Sequence, residues 1–532
     1  MADRDPVDVV IGYHQRTKHH THRYAQALGY LDWDTQPNPF RRFEGAPRIR
    51  LDEVPVKPEP TYAALFQEPP LPPRGLDRSS LSQLFYDSLA LSAWKEFGEN
   101  RWSLRVNPSS GNLHPTEGYL LTGAIPGFLE SPGLYHYAPH DHELEHRRTF
   151  TPGAWESMRL PPGAVLFGLT SIHWRESWKY GERAFRYCQH DVGHAIAAVV
   201  LAARGLGWSA RVLDGVADAL LTDLLGVATQ SGPEAEHPDV LLLITPGDAA
   251  VLPSALAPLS QGPMVGKENT LSSDHHEWSI IEVVAEAAER LGSEPAASAA
   301  PRAERTRVPC PLVPARQIVR QRRSAVSMDG TTSIAREQFL GMVARTSPGD
   351  GDTVFGALPW RPAIHLAVFV HRVQGLSPGL YFVVRDPDSL RGLRAAMRPE
   401  FAWTHVVHNL YLLREANVRD AARSISCGQE IASDGAFAVG MIAQFEPELR
   451  RHGAWFYRAL HWEAGAIGQV LYLEAEAAGV RATGIGCFFD DAMHDLLGLR
   501  DASFQTVYHF TVGGPVEDTR LRSAPAYAHR SL

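Results

Sequence analysis

The residues best suited to chemistry begin with Asn107-Pro108-Ser109-Ser110-Gly111-Asn112-Leu113-His114-Pro115. Two prolines fence off small residues carrying hydroxyls, an amide and open backbone N–H groups, so the chain here must be extended, turned and polar. Such a loop can lie flat against a planar ligand, although the same composition also makes an ordinary surface turn. Asp191 and His194 could pair as a proton-transfer dyad, but packing within a buried helix explains them better. His14, His19, His20 and His22 invite a metal. They lack a carboxylate or cysteine at ligand spacing and read as a solvated helix instead. Gly205-Leu206-Gly207-Trp208-Ser209-Ala210 fits a loosened dinucleotide pattern, yet it follows a helical run where that fingerprint must follow a strand. It reads as a helix stop.

The elements that must position these groups belong to a large chain. Its 532 residues point to roughly three folding units, or two large ones with arms, at about 150 residues each. With 44% hydrophobic and 21% charged residues the composition is that of a soluble globular protein, and no apolar run is long enough to span a bilayer. The start, Met1-Ala2-Asp3-Arg4-Asp5, leads into no signal-peptide core, so a cytoplasmic location is expected. Cys188, Cys310, Cys427 and Cys487 are scattered without Cys-x-x-Cys spacing, which argues against a disulfide framework or a zinc cluster and for reduced thiols. A net charge of −9, from 51 basic against 60 acidic side chains, gives a nucleic-acid backbone no general reason to bind. The expected partner is a small molecule.

Along the chain, prolines 37, 39, 47, 55, 58 and 60 keep residues 1–60 extended as an arm that wraps rather than folds, with at most a short helix opening near Tyr13. A helix from Asp274 and Glu277, in a capping-box-like start, through Ile280, Ile281, Val284, Ala288 and Leu291 stops at Gly292, before linker-like Ser293–Ser298. The decisive feature is an internal repeat. Phe185-Arg186 recurs as Tyr457-Arg458, Asp191-Val192-Gly193 as Glu463-Ala464-Gly465, and Asp223-Leu224-Leu225-Gly226 as Asp495-Leu496-Leu497-Gly498; 457 − 185, 463 − 191 and 495 − 223 all equal 272. Ser131-Pro132-Gly133-Leu134-Tyr135 returns as Ser377-Pro378-Gly379-Leu380-Tyr381, now 246 residues on. Each copy carries a long helix that is apolar on nearly all faces, 191–204 and 463–478, and so must be buried against more than one neighbour. Strands near 118–123, 240–244, 364–370 and 506–511 complete an α+β pattern.

These residues resemble the FMN-dependent nitroreductase fold, and within it the SagB-type (ThcOx-like) dehydrogenases in a tandem two-domain form. Pro108-Ser109-Ser110-Gly111-Asn112 is similar to that family's flavin-facing loop, Arg322-Arg323-Ser324 to its Arg-x-Ser start, and Gly484-Ile485-Gly486 to its glycine turn beside the ring. Lys179-Tyr180 resembles the Lys-Tyr signature of the SagB branch, and the arm residues Tyr13-His14 and Leu31-Asp32-Trp33 are similar to openings of longer members. The two copies depart from the family pattern in complementary ways. The first lacks the Arg-x-Ser start, and Val212 and Asp214 stand where the glycine turn should be; the second has Val354-Phe355-Gly356-Ala357 in place of the loop and Arg451-His452 in place of Lys-Tyr. In the family the flavin lies across a dimer interface, so the resemblance implies one FMN per chain at a single site between two fused domains.

By the same resemblance, Arg322 and Arg323 would hold the phosphate as permanently charged planar donors with Ser324 adding a hydroxyl, and Arg520 and Arg522 are placed like the family's closing basic residues. Ser109, Ser110 and Asn112 would offer hydrogen bonds to the ring's polar edge, and Lys179 and Tyr180 would serve as acid and base. The expected architecture is an arm (1–60), a first nitroreductase-like domain (61–260), a linker with one helix (261–315) and a second domain (316–532), each domain an antiparallel-rich sheet flanked by helices, together forming an intramolecular pseudo-dimer. The expected activity is oxidation of a small or peptidic heterocycle or amine, in the manner of an azoline oxidase. The alternatives are an NAD(P)H-driven nitro, quinone or ene reductase, with the nicotinamide as a diffusing co-substrate, and a flavin-free scaffold or partner protein. No metal, nucleic acid or membrane is implied; a biosynthetic complex is a conceivable setting, and both monomer and homodimer remain open.

Overall fold

Apolar runs bounded by glycine and proline become the strands of two seven-stranded sheets. In a computed structural model describing residues 4–67, 70–292, 312–349 and 354–531, the first sheet runs Arg48–Arg50, Glu143–Thr149, Gly133–Ala138, Thr116–Thr122, Val165–Ile172, Glu236–Thr245, Ser209–Val212. The second runs Thr404–Val407, Leu410–Glu415, Gly379–Val383, Ile364–Val370, Phe437–Gln444, Phe504–Gly513, Arg481–Ile485. Every pairing in both is antiparallel. The repeat reaches individual bonds: the Tyr135 hydroxyl donates to the Ser131 carbonyl at 2.7 Å, and its counterpart Tyr381 donates to Ser377 at 2.8 Å. The fold is α+β, two halves with the same strand order packed against each other as a pseudo-dimer within one chain.

Two helices of 22 residues, Ala184–Gly205 and Phe456–Ala477, pack along each other at the centre, and both are buried for nearly their whole length. They begin seven residues earlier than the periodicity suggests (191 − 184 and 463 − 456), because Phe185, Tyr187, Tyr457 and Leu460 are also buried. The repeat keeps its spacing here, since 456 − 184, 481 − 209 and 490 − 218 all equal 272. The helices touch at equivalent glycines: a Cβ on Gly193 would run into the carbonyl of Trp462, and one on Gly465 into the carbonyl of His190. Only glycine lets two helix backbones approach this closely.

The C-terminal segment closes the structure back onto the first half. Arg522–Ala524 pairs with Leu91–Phe97, which pairs in turn with Asn100–Arg105. Beyond it the Tyr527 hydroxyl donates to the Pro139 carbonyl and accepts from the Leu91 N–H, both at 3.0 Å.

Two expectations require correction. The helix of the arm is Pro6–Arg16, N-capped by Asp5, and it is not solvated: His14 is fully buried with Nδ1 3.3 Å from the Tyr457 hydroxyl, and Lys18 and His19 are buried beyond it. Val7, Val10 and Tyr13 make one face of this helix apolar, and Tyr13 donates to the Glu182 carbonyl at 2.6 Å, so burial outweighs the polar composition. Burial and the neighbouring Arg186 push the His14 imidazole well below its usual range. The second correction concerns the helix before Gly292, which runs Ser279–Ala287 with Trp278 at its N-cap and no side-chain cap, while Leu291 is 83% exposed. The linker Ser293–Ser298 lies outside the described residues.

The helix crossing predicts opposite signs for one substitution at two helical glycines. Gly465→Ala must part the backbones and is expected to lower stability in urea by about 1–3 kcal/mol. Gly12→Ala, where nothing lies within 4 Å of the added carbon, is expected to raise it by about 0.5–1 kcal/mol.

Candidate active site

A cavity of about 600 Å³ opens between the halves, lined from one side by Pro108–Asn112, Tyr180, Tyr187 and Asp191 and from the other by Arg322–Ser324, Tyr472, Gly484–Cys487 and Tyr508. The loop, the Arg-Arg-Ser run and the glycine turn, far apart in the chain, thus meet in one place.

The loop turns through left-handed backbone at Gly111, Asn112 and His114, with φ of 59°, 61° and 53°. Asp191, on the long helix, holds it by accepting from the Ser110 N–H at 3.1 Å and from the Ser110 hydroxyl at 3.3 Å. The Ser109 hydroxyl accepts from the His114 N–H at 2.8 Å. Asn112 lines the cavity, but its amide is already engaged: Nδ2 donates to the Ser103 carbonyl at 2.8 Å and Oδ1 meets His114 Nε2 at 3.0 Å. It braces the loop rather than offering its side chain inward.

At the opposite end positive charge is concentrated. Arg322 is buried, donates from Nη2 to the Arg105 carbonyl at 3.0 Å, and has a buried Nε with no partner. Burial lowers its basicity; burial and Arg322 lower Arg323 to about 10. Lys95 and Arg481 also line this end, and Lys95 is depressed by burial and by Arg323. Neither appears in any recognisable sequence pattern; the folded strands alone bring them here. Arg481 is paired with Glu517 at 2.6 Å, whereas Arg322 and Arg323, with an unsatisfied guanidinium N–H between them, could take an anion. Ser324 Oγ lies 2.8 Å from the Tyr472 hydroxyl, which also accepts the Gly484 N–H at 3.1 Å. Side chains at Gly484 and Gly486 would collide with Tyr508 and Tyr187, so the turn must stay bare backbone, while the Ile485 side chain is buried in the second sheet's core.

Arg520 and Arg522 do not line the cavity. Arg520 is exposed and doubly bonded to Asp518, at 2.8 and 2.7 Å; Arg522 is exposed on an edge strand. Leu521 between them lines the cavity instead, as alternation along an extended segment requires.

Lys179 and Tyr180 end the helix His173–Tyr180 beside the loop. Tyr180 lines the cavity, and an added carbon on Gly111 would lie 2.6 Å from its hydroxyl and 3.2 Å from Lys179 Nζ. Lys179 Nζ is 5.4 Å from the Tyr180 ring centroid. Burial, and then Glu176, raise the Tyr180 phenol well above its usual range. Its neighbour Glu176 was not legible in advance. The Ser109 hydroxyl donates to Glu176 at 3.4 Å, so Glu176 and Asp191 grip adjacent serines from two helices. Both are fully buried. Burial, and then Asp191, raise Glu176 strongly; burial raises Asp191 to about 7. His194 also lines the cavity but does not pair with Asp191: its Nε2 lies 3.3 Å from the Tyr508 hydroxyl, and burial lowers it to about 3.

The site related by the repeat is closed. Around Val212 and Leu213, Trp360 and Trp462 together with Arg458 leave only about 20 Å³. The Gly205–Ala210 stretch is a helix end: Gly207 has φ of 72° and the strand Ser209–Val212 follows it.

Comparison with known proteins places this geometry. The family model described as "Nitroreductase family" matches residues 88–243 and 381–514, once in each half. A crystal structure of a putative nitroreductase from Anabaena variabilis shares the fold over 96% of this chain and 99% of its own, with a TM-score of 0.68 and 22% identity. The trifolitoxin-processing protein TfxB of Rhizobium leguminosarum bv. trifolii is 32% identical over 128 residues, 22% of this chain and 34% of that protein. A putative nitroreductase, MJ1384, of Methanocaldococcus jannaschii is 29% identical over 106 residues, 19% of this chain and 52% of that protein. The matched segments span about a third and about half of these curated relatives. With more than half of its length matched by that model, and in both copies of the repeat, the chain belongs to the Nitroreductase family of oxidoreductases.

Proposed function

We propose that the chain is an FMN-dependent dehydrogenase with one active site, oxidising a small or peptidic heterocycle or amine. The observation that carries this reading is the cavity of about 600 Å³ to which the second half brings Arg322, Arg323 and the glycine turn and the first half the serine loop and Tyr180, with Lys179 behind the loop at Gly111. The likeness to a trifolitoxin-processing protein supports a peptidic substrate.

The residues present fit FMN. Arg322, with its unpartnered Nε, Arg323 and Ser324 would hold the phosphate, with Lys95 nearby; Ser109, Ser110 and the bare backbone of Gly484 and Gly486 would border the ring. When bound, FMN supplies the two-electron acceptor that takes a hydride. The chain's own contribution is proton handling. Lys179, whose Nζ lies behind the loop at Gly111, would receive the proton released from the atom next to the oxidised carbon. The neutral Tyr180 phenol beside it donates a hydrogen bond and orients the substrate. The Glu176–Asp191 pair, desolvated together, retains a proton near neutral pH and keeps negative charge away from the ring edge while holding Ser109 and Ser110 in place.

Three measurements test this reading. Arg323→Ala is expected to weaken FMN binding by about 1.5–3 kcal/mol, roughly ten- to hundredfold, and Ser109→Ala in the other half to weaken it as well; unaltered affinity in either contradicts a shared site. With FMN bound, Lys179→Ala is expected to slow anaerobic flavin reduction by a thiazoline-bearing peptide about 10²–10⁴-fold. Bleaching by NADPH but not by such substrates would favour the reductase instead. Finally, Asp191 has its folded pKa raised, so its burial costs nothing below the unfolded value near 4, and the cost grows as pH rises to about 7. Asp191→Asn is therefore expected to gain stability relative to the parent between pH 4 and 8, read as the difference in urea midpoints; a difference that does not change with pH contradicts the assignment.

A further inference from the structure

Cys487 directly follows the glycine turn and lines the cavity wall. Its sulfur lies 2.7 Å from that of Cys427, 60 residues away in sequence, in the loop after the helix Arg419–Ile425. Cys427 has φ of 54°, a left-handed conformation unusual for a side-chain-bearing residue, and this turns it towards Cys487. Gln429 reinforces the approach by donating from Nε2 to the Cys487 carbonyl at 3.0 Å. Both cysteines are partly exposed, unlike Cys188, which is buried in the central helix.

We propose that Cys427 and Cys487 form a reversible dithiol–disulfide site on the cavity wall that exchanges with low-molecular-weight disulfides of the glutathione class. The sulfurs already stand inside the distance at which two unbonded sulfurs rest, and nothing separates them. The two thiols are unequal. The contact with Cys427, and then the nearby Arg183, favour the Cys487 thiolate, whereas Cys427 is pushed up by the same contact and by burial. Cys487, not Cys427, lines the cavity through which an external disulfide can approach, and Arg183 stands beside it, donating to the Gly486 carbonyl at 3.4 Å; Cys487 is the attacking thiolate. It attacks one sulfur of the external disulfide, breaking its S–S bond, expelling one thiolate and leaving a mixed disulfide on Cys487. Cys427 then gives up its proton and attacks Cys487 Sγ, expelling the second thiolate. Two protein thiols are oxidised, one external disulfide is reduced to two thiols, and both protein protons end on the released thiols. The bond ties the glycine turn at Gly484–Gly486 to the Cys427 loop, so the redox state of the surroundings is written into one wall of the cavity. This holds whether or not the cavity takes a flavin.

The test uses the full chain carrying Cys310→Ser, equilibrated in buffers of varied glutathione to glutathione disulfide ratio, quenched with N-ethylmaleimide and mapped by peptide mass. A Cys427–Cys487 cross-linked peptide should rise as the buffer becomes oxidising and vanish with dithiothreitol. Adding Cys427→Ser should trap one glutathione on Cys487; adding Cys487→Ser instead should slow glutathione uptake at Cys427 at least tenfold. Two cysteines that stay open to alkylation at every ratio, or no adduct on Cys487 in the Cys427→Ser chain, would overturn the proposal.

Discussion

Everything in this molecule depends on two helix backbones being able to touch. Gly193 and Gly465 occupy the same position of the repeat, and each faces the carbonyls of the other helix where no side chain would fit. That contact sets the separation of the two sheets and with it the width of both clefts between them. Because the helices are buried for nearly their whole length, a shift at the crossing is transmitted rather than absorbed. The long helices are also what the cavity stands on: Tyr187 and Asp191 come from one, Tyr472 from the other.

A symmetric crossing creates two equivalent clefts, and the sequence treats them differently. One is walled by serines, bare glycines and arginines; the other is filled by Trp360 and Trp462 with Arg458 beside them. Duplication of a domain frees one cleft to become core, and large aromatic side chains there add apolar burial that an open cleft would forgo. Asp191 and its counterpart Glu463 show the divergence at one position. Asp191 holds the loop at the open cleft, whereas Glu463 is spent on Arg385 and on the N–H of Ala363 within the second half.

Much of this was legible in the sequence, and what was not has a physical cause. The tandem repeat and both central helices followed from local patterns at constant spacing, and the meeting of the loop, the Arg-Arg-Ser run and the glycine turn was what the family resemblance implied. Arg520 and Arg522 were misplaced because basic character along an extended segment says nothing about which side faces inward. His14 reads as a surface residue because its neighbours are polar, although the apolar face of Val7, Val10 and Tyr13 carries it inside. Lys95, Arg481 and Glu176 join the site only through pairing between strands and packing between helices, and no spacing rule reports that. The Cys427–Cys487 contact is of the same kind, two residues that share no motif and are brought together by a turn.

The central claim is that one open cleft, built from both halves, binds the cofactor. The most direct measurement is a crystal structure of the chain saturated with FMN. One flavin per chain is predicted, its phosphate on Arg322 and Arg323 and its ring against Pro108–Asn112 and Gly484–Gly486. A second flavin at Trp360 and Trp462, or a flavin held between two separate chains, would contradict the account.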